Sequence, residues 1–162
     1  MIEAHTKIQT PVGPIYLSAS ERGLTQVGFR KPKAQLMNSA SADPGPAEKI
    51  LAQAVEQLEE YFAGCRKNFD LPFDVGGTEF QKNVWRQLQK IPYGKTASYR
   101  DLARKVKNEK AVRAVGSANG KNPLGIIVPC HRIIAADGSI GGYAGGIALK
   151  KKLLELEARY LG

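Results

Sequence analysis

Cys130 and His131 stand side by side in the segment Ile126-Ile127-Val128-Pro129-Cys130-His131-Arg132-Ile133-Ile134. A cysteine attacks as its thiolate, and an unperturbed thiol titrates near ~8.5, so a neighbouring base or cation decides how much nucleophile is present. His131 is the candidate base, and a carboxylate such as Glu157 could orient it, giving the nucleophile–base–orienter order of covalent catalysis. Apolar residues flank the polar centre on both sides, and Pro129 restricts the backbone immediately before the thiol. A free cysteine without such neighbours is ordinarily a small buried hydrophobe. The pair also fits a Cys-His hydrolase. A metal site is not expected, because Cys65, Cys130, His5 and His131 match no zinc spacing. The run Gly141-Gly142-Tyr143-Ala144-Gly145-Gly146 lacks the order of a dinucleotide-binding turn, so no nucleotide cofactor is expected either.

The elements around this segment are mainly helical. Thr78 and Gln81 form a capping-box pattern ahead of the stripe Phe80, Val84, Trp85 and Leu88. Pro92-Tyr93-Gly94 breaks that helix. Ser98 caps the next one, with Asp101 at the third position and Leu102, Ala103 and Val106 facing inward. Asn108 is the expected cap of a third helix, Glu109 to about Asn119, ended by Gly120. Two short helices with a tight connection have the form of a helix-turn-helix. A last helix is expected from about Ile147 to Tyr160, with Leu149, Leu153, Leu156 and Tyr160 at helical spacing.

The third helix does not carry the Arg, Gln and Asn that read base edges in a major groove. It offers Ala111, Ala114, Gly116, Ser117 and Ala118, with Arg113 as its single long basic side chain. Small residues let a backbone approach a partner closely, whether a neighbouring helix or a narrow groove. Arg113 fits the space left by an extruded base, or an ordinary surface ion pair.

The first third alternates differently. Lys7–Thr10, Pro14–Ala19 and Leu24–Phe29 read as strands between turn signals at Pro11-Val12-Gly13 and Glu21-Arg22-Gly23. A loop rich in Ser, Ala, Pro and Gly spans about Asn38–Pro46. A helix follows, with Pro46 in its first turn, Gly64 at its end, and Ile50, Leu51, Ala54, Val55, Leu58, Tyr61 and Phe62 at helical spacing. Phe69–Phe73 reads as an edge strand or connector. A domain boundary falls in 72–77, dividing the chain into an N-terminal α/β domain, 1–75, and a mainly helical domain, 76–162.

Charge follows the same division. Residues 1–73 balance eight basic against eight acidic side chains, whereas 74–162 hold sixteen against seven, the whole of the +9 net charge. Eleven basic residues lie between Lys82 and Lys121, against only Asp101 and Glu109. Such a one-sided field suits a polyanion, or is a solvated basic face. With 43% hydrophobic and 24% charged residues, the chain has the composition of an ordinary globular protein. No apolar run reaches the ~18 residues of a membrane span. The first residues lack the order of a secretory signal, and two cysteines fit a reducing compartment, so a cytoplasmic protein with free thiols is expected.

Pro129-Cys130-His131-Arg132, preceded by NPLGIIV and followed by GGYAGG, resembles the active-site region of the O6-alkylguanine-DNA alkyltransferases. The resemblance continues through PYGKTASYRDLA and AVRAVGSANGKNP, so it covers about residues 78–157 with its motifs in order. It implies a ribonuclease-H-like N-terminal domain, a small sheet plus a helix, before a DNA-binding domain with a helix-turn-helix. It implies direct reversal of damage: O6-alkylguanine is flipped out of duplex DNA and its alkyl group passes irreversibly, once per molecule, to Cys130. O4-alkylthymine is a minor substrate under the same resemblance. A non-enzymatic damage sensor of related build would lack the acceptor cysteine.

The resemblance also assigns roles. His131, through a water, takes the thiol proton, and Glu157 holds His131. Asn122 braces the turn of the active site. Tyr99 acts on the DNA phosphate and the flipped base, and Arg113 is the intercalating finger on a helix that approaches DNA with Ala114, Gly116 and Ser117. Tyr143, Ala144, Ile133 and Pro129 form the alkyl and base pocket; some relatives have serine in place of Ala144. The implied partner is double-stranded DNA bound without sequence preference by a monomer, with no membrane and no cofactor.

Overall fold

The structure, a computed structural model, describes residues 3–31 and 45–161. Its chain divides into two compact units, Met1–Val75 and Gly76–Gly162. Thr10 shapes the first turn, donating from Oγ1 to the carbonyl of Gly13 at 2.7 Å and accepting from the Val12 N–H at 3.1 Å. Strands β1 (Ala4–Thr10) and β2 (Gly13–Ala19) are thereby paired antiparallel, with Ile8 opposite Ile15 and His5 opposite Ser18. Strand β3 (Leu24–Gly28) adds to β2, also antiparallel, in the order β1-β2-β3.

Period-two alternation puts Ile15, Leu17 and Ala19 of β2 in the core. Helix α1 (Pro46–Phe62) covers the sheet, packing on β1 and β2 and burying Leu51, Ala54, Leu58 and Tyr61 at 5% exposure or less. Gly64 ends it in the left-handed conformation, φ +80°, with the N–H groups of Gly64 and Cys65 returning to the carbonyls of Tyr61 and Glu60. Only glycine adopts that conformation without cost to a Cβ. Residues 38–44 of the expected Ser/Ala/Pro/Gly loop lie outside the described residues. Phe69–Phe73 is a connector with one bridge, parallel, between Phe73 and Leu24. Ser20 secures its far end by donating to Asp74 Oδ2 at 2.5 Å.

The second unit begins with α2 (Glu79–Leu88), whose capping box is complete: Gln81 N–H donates to Thr78 Oγ1, and Thr78 N–H to Gln81 Oε1, both at 3.0 Å. A strand of two residues, β4 (Ala97–Ser98), leads into α3 (Tyr99–Lys105), capped the same way by Ser98 and Asp101. Helix α4 is Val112–Gly120 and packs on α3 and α2. It starts three residues later than its sequence implied, and Asn108 is not its cap. Lys107 takes a left-handed φ of +59° after α3, and the N–H groups of Lys107 and Asn108 close back on Arg104 and Ala103. That closure leaves Asn108–Ala111 as a turn, in which the Ala111 N–H donates to the Asn108 carbonyl.

Trp85 Nε1 donates to the Ala118 carbonyl at 2.9 Å, tying α2 to α4. Ala118 is therefore core, 2% exposed, and no part of an outer face. Helix α5 (Ile147–Leu161) buries Leu149, Leu153 and Leu156 as expected, but Tyr160 is exposed. Its inner face carries Lys150 and Glu157 instead. The small α/β fold followed by a mainly helical one is the class that the sequence implied. Among the described residues, no helix is long and apolar enough to cross a membrane.

Candidate active site

The thiol of Cys130 begins a 3₁₀ turn, Cys130–Arg132, that leads into strand β5 (Ile133–Ile134). Strand β5 pairs in parallel with β4, Ala97 opposite Ile133, which aligns the turn with the start of α3. The chain reaches Cys130 through two three-residue turns. In the first, Ile127 N–H donates to Gly125 O at 2.8 Å around Ile126, which is held at φ +70°. In the second, Cys130 N–H donates to Val128 O at 2.8 Å around Pro129, φ −80° and ψ +63°. A β-branched residue at positive φ is strained by about 1–3 kcal/mol, so surrounding contacts must impose it.

Asn122 supplies those contacts. Its Nδ2 donates to Val128 O at 2.8 Å and Leu124 O at 3.4 Å, and its Oδ1 accepts from the Leu124 N–H at 3.0 Å. Residues 124–130 are all buried, so these backbone groups have no water to turn to.

Beside the thiol lies a buried charge network. Glu157 Oε2 meets His131 Nε2 at 2.6 Å. The two carboxylate oxygens also take Arg132: Nε at 2.8 Å on Oε1 and Nη2 at 3.0 Å on Oε2. Arg132 Nη1 donates to the Ile91 carbonyl at 2.7 Å, and Gly94 N–H donates to Glu157 Oε1 at 3.2 Å. His131, Arg132 and Glu157 are 0%, 5% and 1% exposed. Burial by itself would raise the Glu157 pKa, but the hydrogen bonds and charges of His131 and Arg132 outweigh it and hold the group at about 2.

An anionic Glu157 fixes the tautomer of His131. Nε2 must carry the proton that it shares with the carboxylate, which leaves Nδ1 as the basic nitrogen. Nδ1 is buried and has no hydrogen-bond partner among the described residues. Burial pushes the His131 pKa down against the upward pull of Glu157, so the ring is neutral at pH 7. Burial likewise pushes the Cys130 thiol up; hydrogen bonding from Asn122, the charge of Lys150 and the phenol of Tyr143 pull it down without cancelling that effect. The resting site thus holds a protonated thiol and a neutral imidazole.

Two tyrosines face the sulfur. Tyr143, in the loop before α5, lies beside Cys130, and burial followed by the charge of Cys130 raises its pKa well above 10.0. Tyr99, the first residue of α3, is raised by burial and then by Cys130. Both remain phenols, hence hydrogen-bond donors, at neutral pH. Tyr99 also lies against α4, where a Cβ on Gly116 would meet its ring at 3.8 Å.

Cys130, His131, Glu157, Asn122, Tyr99 and Tyr143 are therefore gathered at one place, with Pro129 and Ile133 buried beside them. Ala144 is exposed next to Tyr143. Arg113, Ala114 and Ser117 are exposed on α4, while Gly116 is turned toward Tyr99. Two buried cations were not among the residues singled out from sequence. Arg132 was hidden by its place between the obvious His131 and an apolar strand. Lys150 was hidden in the run Lys150-Lys151-Lys152, although it lies seven residues from Glu157 and so shares its helix face.

Residues 79–159 match the family model of the 6-O-methylguanine DNA methyltransferase DNA-binding domain, and residues 4–75 that of its ribonuclease-like domain. The methylated-DNA–protein-cysteine methyltransferase of Methanosarcina acetivorans is 48% identical over 149 residues, 92% of this chain and 94% of that protein. The protein of that name from Mycobacterium tuberculosis is 44% identical over 151 residues, 93% and 89% of the two chains. The crystal structure of M. tuberculosis OGT in complex with DNA is similar with a TM-score of 0.84 at 41% identity, covering 97% of this chain and 94% of that one.

Proposed function

The chain belongs to the 6-O-methylguanine DNA methyltransferase family, and we propose that it repairs DNA by moving the alkyl group of O6-alkylguanine onto its own Cys130. The observation that carries this is the relay Glu157–His131 beside a buried thiol, with Asn122 on the turn between them and α4. His131 Nδ1 takes the thiol proton through a water. The sulfur then attacks the alkyl carbon; the S–C bond forms as the C–O6 bond breaks. The electron pair passes to the guanine, which takes up a proton and leaves as the unmodified base. The phenols of Tyr99 and Tyr143 stabilise the charge that develops on it.

Arg132 has a supporting part. It keeps Glu157 anionic, so the carboxylate orients the imidazole without taking its proton. The product is a thioether, which no residue of the site can cleave, so each molecule reacts once.

The target atom lies inside a duplex, and the base must leave the stack to reach a buried sulfur. Helix α4 offers a flat outer face of small residues with Arg113 beside it, suited to a minor groove and to filling the space of the extruded base. The basic excess of the second unit supplies sequence-independent, salt-sensitive affinity. The protein acts as a monomer in the cytoplasm, requires no cofactor, and accepts O4-alkylthymine as a minor substrate.

The test is the intact mass before and after mixing with a duplex bearing one O6-methylguanine. One added CH₂ on the Cys130 peptide, unmodified guanine in the DNA, and neither in Cys130→Ser support the proposal. Tight lesion binding without mass gain identifies a sensor instead. Neither gain nor lesion preference returns the Cys-His hydrolase.

A further inference from the structure

Lys150 is a lysine with no exposed surface, and no carboxylate accepts from it among the hydrogen bonds of its ammonium. Its Nζ donates to the carbonyls of Ile133 at 2.5 Å, Ile140 at 2.6 Å and Gly142 at 3.1 Å, which uses all three of its protons. Those carbonyls belong to the strand just after the nucleophile and to the loop that brings Tyr143 to it. A Cβ on Gly141 would lie 3.5 Å from the same ammonium and 3.4 Å from the Tyr99 hydroxyl, so Lys150, Tyr99 and this loop meet at one point.

The charges around the site do not balance. Arg132 and Glu157 pair with each other, and His131 is neutral. Tyr99 and Tyr143 are phenols. Lys150 is left as a buried positive charge held only by carbonyl dipoles, and a buried charge is costly without a counterion. The one side chain of the site that gains a negative charge during the reaction is Cys130.

Resting on the alkyl-transfer reading above, we propose that Lys150 is a positioning residue for that reaction: it pins Ile133 and the Tyr143 loop beside Cys130 and is the counterion of the thiolate. The thiol proton leaves toward His131 and the electron pair stays on sulfur, so the net charge of the site is unchanged while a negative charge appears on Cys130 for the ammonium to balance. The mutual electrostatic effects fit this: Lys150 lowers the thiol pKa, and Cys130 raises that of Lys150 against burial.

The experiment is the pH dependence of Cys130 carbamidomethylation by iodoacetamide, read on the Cys130 peptide so that exposed Cys65 does not contribute. Iodoacetamide needs a thiolate but neither DNA nor an alkylguanine, so its outcome is independent of whether the protein is an alkyltransferase. Lys150→Gln, which keeps donors but no charge, is expected to move the profile up by about one pH unit, about tenfold less reaction at neutral pH. Lys150→Arg should restore most of it. Equal shifts in both variants, or none in a folded Lys150→Gln, overturn the counterion role. Wild-type protein with 15N-labelled lysine provides the arm that needs no variant. The Lys150 Nζ resonance should step at the pH where Cys130 titrates, and lose that step once Cys130 is carbamidomethylated. A resonance indifferent to Cys130 overturns the proposal.

Discussion

Asn122 Nδ2 donates 2.8 Å to the carbonyl oxygen of Val128, two residues before the nucleophile. Asn122 follows α4 by two residues, so this one bond joins the end of the helix-turn-helix to the turn that presents the sulfur. It also offsets the strain of Ile126, whose positive φ lies between the two residues.

Replacing Asn122 should therefore affect stability and chemistry together. Asn122→Ala leaves the buried Leu124 N–H without its acceptor and removes a donor from the Val128 carbonyl, at about 1–3 kcal/mol. Chemical denaturation should show that loss, and the reaction of Cys130 with free O6-benzylguanine should slow. A variant as stable and as fast as wild type would show that the turn is held by packing alone.

Glu157 makes a prediction in acid. Its pKa is depressed to about 2 in the folded protein, below the ordinary ~4.3 of an unfolded glutamate. Its contribution is thus present above about pH 4.3 and is lost as pH falls toward 2. Glu157→Gln leaves Arg132 buried and unmatched, so it should cost about 3–5 kcal/mol at neutral pH. The gap between wild type and variant should narrow between pH 4.3 and 2 in urea midpoints measured across that range. A gap independent of pH would remove the carboxylate charge from the account.

Gly141 sits at φ +72°, with Tyr99 at 3.4 Å and the Lys150 ammonium at 3.5 Å from where a Cβ would lie. Gly141→Ala should cost about 1–2 kcal/mol in backbone strain. It should also slow alkylation of Cys130, because relieving the positive φ shifts the loop that carries Tyr143. Thermal unfolding and single-turnover kinetics check both parts, and an unchanged rate would mean that this loop adapts freely.

Arg113 is exposed on α4 and takes no part in the hydrogen bonds around Cys130, His131 and Glu157. Arg113→Ala should slow repair of duplex substrate by about tenfold or more, about 1.4 kcal/mol of barrier. Reaction with free O6-benzylguanine, which needs no flipping, should stay near wild type. Equal losses on both substrates would defeat the finger assignment.

What the amino-acid order determined by itself is local. The caps Thr78–Gln81 and Ser98–Asp101 satisfy helix N–H groups within three residues, and the turn at Thr10 and Gly13 closes within four. Such signals need no tertiary partner, so they were legible, as was the order Pro129-Cys130-His131-Arg132. Helix α4 starts later than its sequence implies because Lys107 closes α3 in a conformation that favours glycine, which its residue type does not announce. The tertiary structure alone decided which charges are buried. Glu157 is 26 residues from His131 and meets it only because α5 packs on the 3₁₀ turn. Lys150 points inward and Tyr160 outward for the same reason: helical spacing allows either face, and the partners waiting in the core, carbonyls for the ammonium and His131 with Arg132 for the carboxylate, select one.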